Sequence, residues 1–194
     1  MNTYATPSLI RILFLLLVAA GSALPARAAT VLINPSNQSV MVGQTFSVNV
    51  SISGVADLYA FQFDLGYDPT LLSATNVSEG AFLPTGGSTL FLPGTIDNTA
   101  GSIAFTADGL QGPVAGVSGS GVLALAEFTA LAPGWSGISL FNVILLDSNG
   151  LDIEPVTSGG NVQIAVIPLP AAFPLLSFGL AALGIGRRFS AWRK

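Results

Sequence analysis

Across residues 45–53 every second side chain is apolar. Phe46, Val48, Val50 and Ile52 fall on one side of an extended chain, and Ser47, Asn49, Ser51 and Ser53 fall on the other. A repeat of two fits a β-strand with one buried and one wetted face, and it does not fit the turn of a helix. The same pattern predicts Phe61, Phe63 and Leu65 inward along residues 60–65, and Ile103, Phe105 and Ala107 inward along residues 102–108. Residues 121–132 are apolar on both faces apart from Glu127 and Thr129, which predicts a strand central in its sheet. Residues 138–146 and 160–164 read as two further strands. Turn dipeptides (Asp68-Pro69, Pro93-Gly94, Asp108-Gly109, Pro133-Gly134, Asn149-Gly150) separate these runs. The spacing of about 8–12 residues between turns is that of a sandwich or jelly roll. The expectation is an all-β sandwich of about nine strands in two sheets packed about 10 Å apart, with no amphipathic helix of useful length.

Charge narrows what can hold such a sandwich together. All six basic residues (Arg11, Arg27, Arg187, Arg188, Arg193 and Lys194) lie near the two ends of the 194-residue chain, whereas all ten acids lie between Asp57 and Glu154. Residues 29–166 therefore carry a net charge of −10, with no Lys, Arg or His and no Cys. No internal salt bridge and no disulfide can form there, so stability rests on a packed apolar core. A surface of that sign repels nucleic acid and anionic lipid. The 138 residues involved suffice for one domain with a substantial core.

The ends read as targeting segments. Arg11, the short apolar run 12–20 and the small-x-small pattern Ala26-Arg27-Ala28 form a secretory signal peptide over residues 1–28, with the mature chain starting at Ala29. Residues 165–186 contain no charge and are followed by Arg187-Arg188. Such a stretch spans about 33 Å as a helix, against a hydrocarbon core of about 30 Å. Residues 167–194 are thus expected to hold a transmembrane helix, at about 171–188, whose basic end stays in the cytoplasm.

Catalysis is poorly supported. Without His, Cys or Lys, residues 29–166 offer only carboxylates and hydroxyls. A pair of carboxylates can hydrolyse a glycoside, but Asp64 falls on the polar face of its strand, Asp68 is explained by its turn, and Glu127 by exposure or by a partner inside the sheet. The chain reads as a non-enzyme. The densest oxygen cluster is Asp147, Asn149, Asp152 and Glu154, a candidate calcium site that lacks the EF-hand spacing. A type I′ hairpin turn at Asn149-Gly150, flanked by solvated acids, is the stronger reading of the same residues.

Two family resemblances follow from ordered motifs. Val42-Gly43-Gln44 precedes the first alternating strand. Phe61, Phe63 and Leu65 lead into Tyr67-Asp68-Pro69 and Leu71-Leu72, and then Glu79-Gly80. Gly121, Leu123, Glu127, Phe128 and Ala130 come next, followed by Gly137-Ile138, Leu140, Gly160 and Val162. In that order over about 120 residues, they resemble a cohesin domain, the jelly-roll module that binds dockerins in cellulose-degrading complexes. The resemblance implies a jelly-roll fold and a dockerin-like partner held on a flat sheet face. It gives Tyr67, Asp68 and Pro69 structural roles: Asp68 and Pro69 turn the chain, while Tyr67 buries its ring and keeps its hydroxyl on a polar partner. The fold is also similar to that of cellulose-binding modules, which makes an extracellular polysaccharide the alternative ligand. Trp135, Tyr59 and Tyr67 are the aromatics available for one. A purely structural matrix role is the third reading.

The tail, Pro168-Leu169-Pro170 with an apolar span and Arg187-Arg188, resembles a PEP-CTERM sorting signal in its Val-Pro-Leu-Pro-Ala variant. Leu169 stands where that family's signature has Glu. The resemblance implies processing near Pro168–Pro170 by an exosortase, a membrane cysteine protease-transpeptidase, in a Gram-negative bacterium that makes exopolysaccharide. The product would reside at the cell surface or in the extracellular matrix.

Overall fold

The computed structural model describes residues 28–166. The expected signal peptide with its Ala26–Ala28 cleavage site, and the sorting tail with its transmembrane helix, lie outside these residues, apart from Ala28 itself. Ten strands appear where about nine were expected: β1 (Ala29–Asn34), β2 (Asn37–Met41), β3 (Thr45–Gly66), β4 (Leu72–Glu79), β5 (Thr95–Asp97), β6 (Ser102–Gly109), β7 (Val117–Ala130), β8 (Gly134–Asp147), β9 (Pro155–Ser158) and β10 (Gly160–Ala165). The only helical element among the described residues is a single 3₁₀ turn at Leu83–Gly86.

β3 organises the molecule. Its 22 residues serve both layers. The first half lies between β1 and β7, and the second between β6 and β8. The chain bends between the halves, where Gly54 (φ 72°) and Asp57 (φ 58°) leave the extended region. One layer then reads β9-β1-β3-β7-β4 and the other β5-β6-β3-β8-β10-β2. β1 and β2 join different layers because Pro35, which has no N–H to donate, interrupts the first run.

The alternation read along β3 is the alternation observed. Phe46, Val48, Val50 and Ile52 are buried, as are Phe61, Phe63 and Leu65. β7, the apolar strand, pairs with β3 on one side and β4 on the other, so it is interior to its sheet. It begins at Val117 and ends at Ala130 rather than running over 121–132. Its Phe128 sits at the core centre, 5.8 Å from the Phe46 ring and 5.2 Å edge-on from Tyr67. Full burial of an aromatic of this size against two others contributes about 3 kcal/mol or more.

Two local expectations are corrected. Phe105 is not inward: it is 55% exposed, with φ 59°. β6 holds one residue more than β3 between the pairs Phe63↔Thr106 and Leu65↔Ile103, and this bulge reverses the alternation after Ile103. Thr106 and Asp108 take the inward places instead. The hairpin at Asn149-Gly150 is not type I′, which needs both central residues at positive φ. Only Gly150 is left-handed (φ 75°), and it occupies the fourth place of a turn closed by Gly150 N–H donating to the Asp147 carbonyl at 3.0 Å.

Candidate functional site

The outward face of β5-β6-β3-β8 carries the largest group of exposed apolar side chains among the described residues. Phe105, Phe141 and Ile144 project from it, joined by Leu90 and Leu92. The last two belong to a stretch ahead of β5 that pairs with β6: Leu90 N–H donates to the Gly109 carbonyl at 2.9 Å and Leu92 N–H to the Ala107 carbonyl at 2.8 Å. Between this stretch and β8 lies an open groove of about 450 Å³, floored by Ala60, Gln62 and Ala107 and walled by Leu90, Leu92, Ile144 and Leu146.

One carboxylate builds that face. Asp64 points outward from β3, as the alternation predicts, but it is covered rather than solvated, with only 9% exposure. Its Oδ1 accepts the Phe105 N–H at 2.7 Å and its Oδ2 accepts the Asn142 side-chain amide at 2.7 Å. Both partners sit on one-residue bulges, in β6 and β8, on the two sides of Asp64. Both are left-handed, Phe105 at φ 59° and Asn142 at φ 51°. A non-glycine residue there is strained by about 1 kcal/mol or more, and a buried charge-assisted hydrogen bond contributes enough to offset it. The Asp64 clamp thus holds two irregularities and turns the Phe105 and Phe141 rings to solvent. Gly66, beside Phe141, has no Cβ because one there would press on Ser139 Oγ and the Phe141 ring.

Two of the three acids weighed for catalysis, Asp64 and Asp68, have structural partners. Asp68 Oδ1 accepts both the Thr70 N–H and the Thr70 hydroxyl, at 2.9 and 2.6 Å. These bonds hold its carboxyl below the usual carboxylate range, the hydroxyl acting most strongly. Pro69 follows in the same turn. Tyr67 is buried, and its hydroxyl donates to Asn98 Oδ1 at 2.7 Å. Glu127 is exposed on β7. Asp64, Asp68 and Glu127 do not share a pocket.

At the candidate calcium loop, Asp147 Oδ1 accepts the N–H groups of Asn149 and Leu151, each at 2.8 Å, so its carboxylate is engaged in the turn. Asp152 pairs with Leu146 across that hairpin. Among the described residues no three acidic side chains, Asp147, Asp152 and Glu154 included, gather as ligands around one point. Nearby, Asp57 ties three segments together. It accepts Gly116 N–H at 2.8 Å and the Ser148 hydroxyl at 2.7 Å, and these bonds, the Ser148 hydroxyl first, lower its pKa.

The sequence missed one buried pair. Asp108 is 4% exposed, its Oδ1 accepts the Gly109 N–H, and its Oδ2 is buried with no ordinary donor. Glu79, reaching across from β4 in the other layer, is its neighbour. Burial first, and then the charge of Glu79, push the Asp108 carboxyl up to about 6. The bulge at Phe105 turns Asp108 inward, so the period-two pattern gave no sign of it.

The family model for the cohesin domain matches residues 30–164. This chain belongs to the cohesin family. Solved cohesins share the fold at low sequence identity. A non-cellulosomal cohesin from the hyperthermophilic archaeon Archaeoglobus fulgidus superposes with a TM-score of 0.55 at 16% identity, over 71% of this chain and 91% of that one. A cohesin in a type I cohesin–dockerin complex from Clostridium thermocellum gives 0.59 at 18% identity, over 75% and 99%. The seventh ScaB type I cohesin from Pseudobacteroides cellulosolvens gives 0.57 at 18% identity, over 74% and 96%. No curated protein matches the chain. Within this cohesin, the Tyr67-Asp68-Pro69 run closes β3 and hands the chain to β4 across the Tyr67–Asn98 bond.

Proposed function

We propose that this cohesin is a non-catalytic protein-interaction module that holds a dockerin-like partner on the outer face of β5-β6-β3-β8. The observation that carries the reading is the exposed set Phe105, Phe141, Ile144, Leu90 and Leu92, in which the buried Asp64 clamp holds the bulges that display Phe105 and Phe141. An apolar patch held rigid beside a shallow groove is the kind of surface that protein partners cover. Several structural relatives are in complex with dockerins. The module is exported by its N-terminal signal peptide. It is anchored transiently by the C-terminal helix and released to the cell surface or exopolysaccharide matrix by an exosortase acting near Pro168–Pro170.

The test is calorimetric titration with dockerin-containing proteins encoded by the same organism. Replacing both Phe105 and Phe141 by alanine should weaken binding by about 30-fold or more, the size expected when anchoring aromatics are lost. Binding unchanged in that double variant would defeat the reading. The mass of the exported protein tests the sorting claim, which requires loss of both residues 1–28 and the tail beyond 170.

A further inference from the structure

A second, smaller group of exposed apolar side chains lies at the far end of the same sheet, on β2, β8 and the segments beside them. Met41 closes β2, Leu131 lies in the β7–β8 turn, Trp135 begins β8 and Val166 follows β10, and all four are exposed. Strand pairing collects them at one end of the sandwich. Ala165 registers with Met41, Ile164 with Gly134 and Gln163 with Trp135. Trp135, at 66%, is the most exposed of the large apolar residues. Its neighbour Ser136 points inward and receives the Asp68 N–H at 3.2 Å, so the indole faces the opposite way, to solvent.

The strands of this corner carry no charge in a domain crowded with acids. β2, β10 and β8 as far as Leu146 contain no charged side chain. Two exposed acids at this end, Asp68 and Asp97, sit in turns on the β3 side of β8, joined where Tyr67 N–H donates to the Gly101 carbonyl at 2.8 Å.

The chain leaves the sandwich at this corner. Five residues, 166–170, separate the end of β10 from the expected membrane span at about 171–188, whose last two residues are Arg187 and Arg188. Fully extended they reach about 18 Å at most, which keeps the corner close to a bilayer that the stretch spans. We propose that Met41, Leu131, Trp135 and Val166 form a docking corner that rests in the interfacial layer of the membrane, with the Trp135 indole at head-group depth. Indole rings favour that layer, having an apolar body and one N–H to place in water. The net charge of −10 on residues 29–166 selects zwitterionic over anionic lipid. Docking fixes the tilt of the sandwich on its tether. The inference rests on the reading of 171–188 as a membrane span, and the test separates the two.

The chain has two tryptophans, Trp135 and Trp192. Trp135 is the sole indole fluorophore in Trp192→Phe, and Trp192 is the sole indole fluorophore in Trp135→Phe. Each full-length variant is placed in phosphatidylcholine vesicles with and without acyl-brominated lipid. Docking predicts that brominated lipid quenches Trp135 about twofold or more and that the vesicle shields it from aqueous iodide, as for an interfacial indole. If Trp192 is quenched while Trp135 stays bright and open to iodide, the span holds and the docking corner is overturned. If neither is quenched, both are overturned.

Discussion

The Asp108–Glu79 pair should make this cohesin less stable as pH rises through 6. The two carboxyls meet between the layers, and Asp108 Oδ2 has no N–H or hydroxyl to satisfy it. No Lys, Arg or His occurs in residues 29–166 to neutralise it. Burial, and then the charge of Glu79, raise the Asp108 pKa from 3.8 to about 6, and a proton held between the two acids satisfies both conditions. Because the folded value lies above the unfolded one, the folded state keeps a proton that the unfolded state releases. The resulting stabilisation is complete below about pH 4 and is lost as pH rises through about 6. A shift of about 2 units is about 3 kcal/mol at 1.36 kcal/mol per unit, a large part of the 5–15 kcal/mol typical of a domain. Glu79 is only half-buried, so solvent screening reduces this and about 2 kcal/mol is the working figure.

The perturbation is Asp108→Asn, whose amide can donate to Glu79 at any pH. Urea denaturation followed by circular dichroism at pH 5 and pH 8 provides the readout. With a slope of about 1–3 kcal/mol per molar urea, the wild-type midpoint should fall by about 1 M between the two conditions. The substitution should abolish most of that fall and raise the midpoint at pH 8. Relief of general repulsion among the ten acids acts in the same direction, but it is common to both proteins and cancels in the comparison. Asp57, Asp68 and Asp97 have lowered pKa values, through the Ser148 hydroxyl, the Thr70 hydroxyl and the Ala100 N–H first in each case. Their contribution is lost only as pH falls below 3.8, outside the window. A wild-type midpoint that is flat or rises from pH 5 to pH 8, or a variant with the same slope as wild type, would refute the shared proton.

Two more outcomes are expected. Asn98→Ala removes the acceptor of the Tyr67 hydroxyl and of the Ala74 N–H, and the donor to the Ala74 carbonyl. It should cost about 2–3 kcal/mol in urea denaturation, since it strands three partly buried groups, and a loss under about 0.5 kcal/mol would show that water replaces it freely. Millimolar calcium should leave the thermal midpoint unmoved, because the turn backbone already occupies the Asp147 carboxylate. A midpoint that climbs with calcium would restore the loop as a cation site.

How far the fold was legible follows from the range of the interactions that set it. Phe46 to Ile52 and Phe61 to Leu65 could be read because their burial depends only on the pleat of one strand. The Tyr67-Asp68-Pro69 turn could be read because Asp68 bonds to Thr70, two residues on. Phe105 could not. Its place on the surface depends on Asp64, 41 residues earlier, and the matching bulge at Asn142 depends on the same carboxylate from 78 residues later. Neither bulge has a local marker such as glycine, and each trades strain for a hydrogen bond that exists only once β6, β3 and β8 are paired. The buried Asp108 is a consequence of the same slip, since without the extra residue in β6 it would face water. One carboxylate in the middle of β3 therefore decides both which aromatics the outer face of β5-β6-β3-β8 displays and which acid is turned into the core. That coupling is why this exposed face, unlike the core, could not be found by reading one strand at a time.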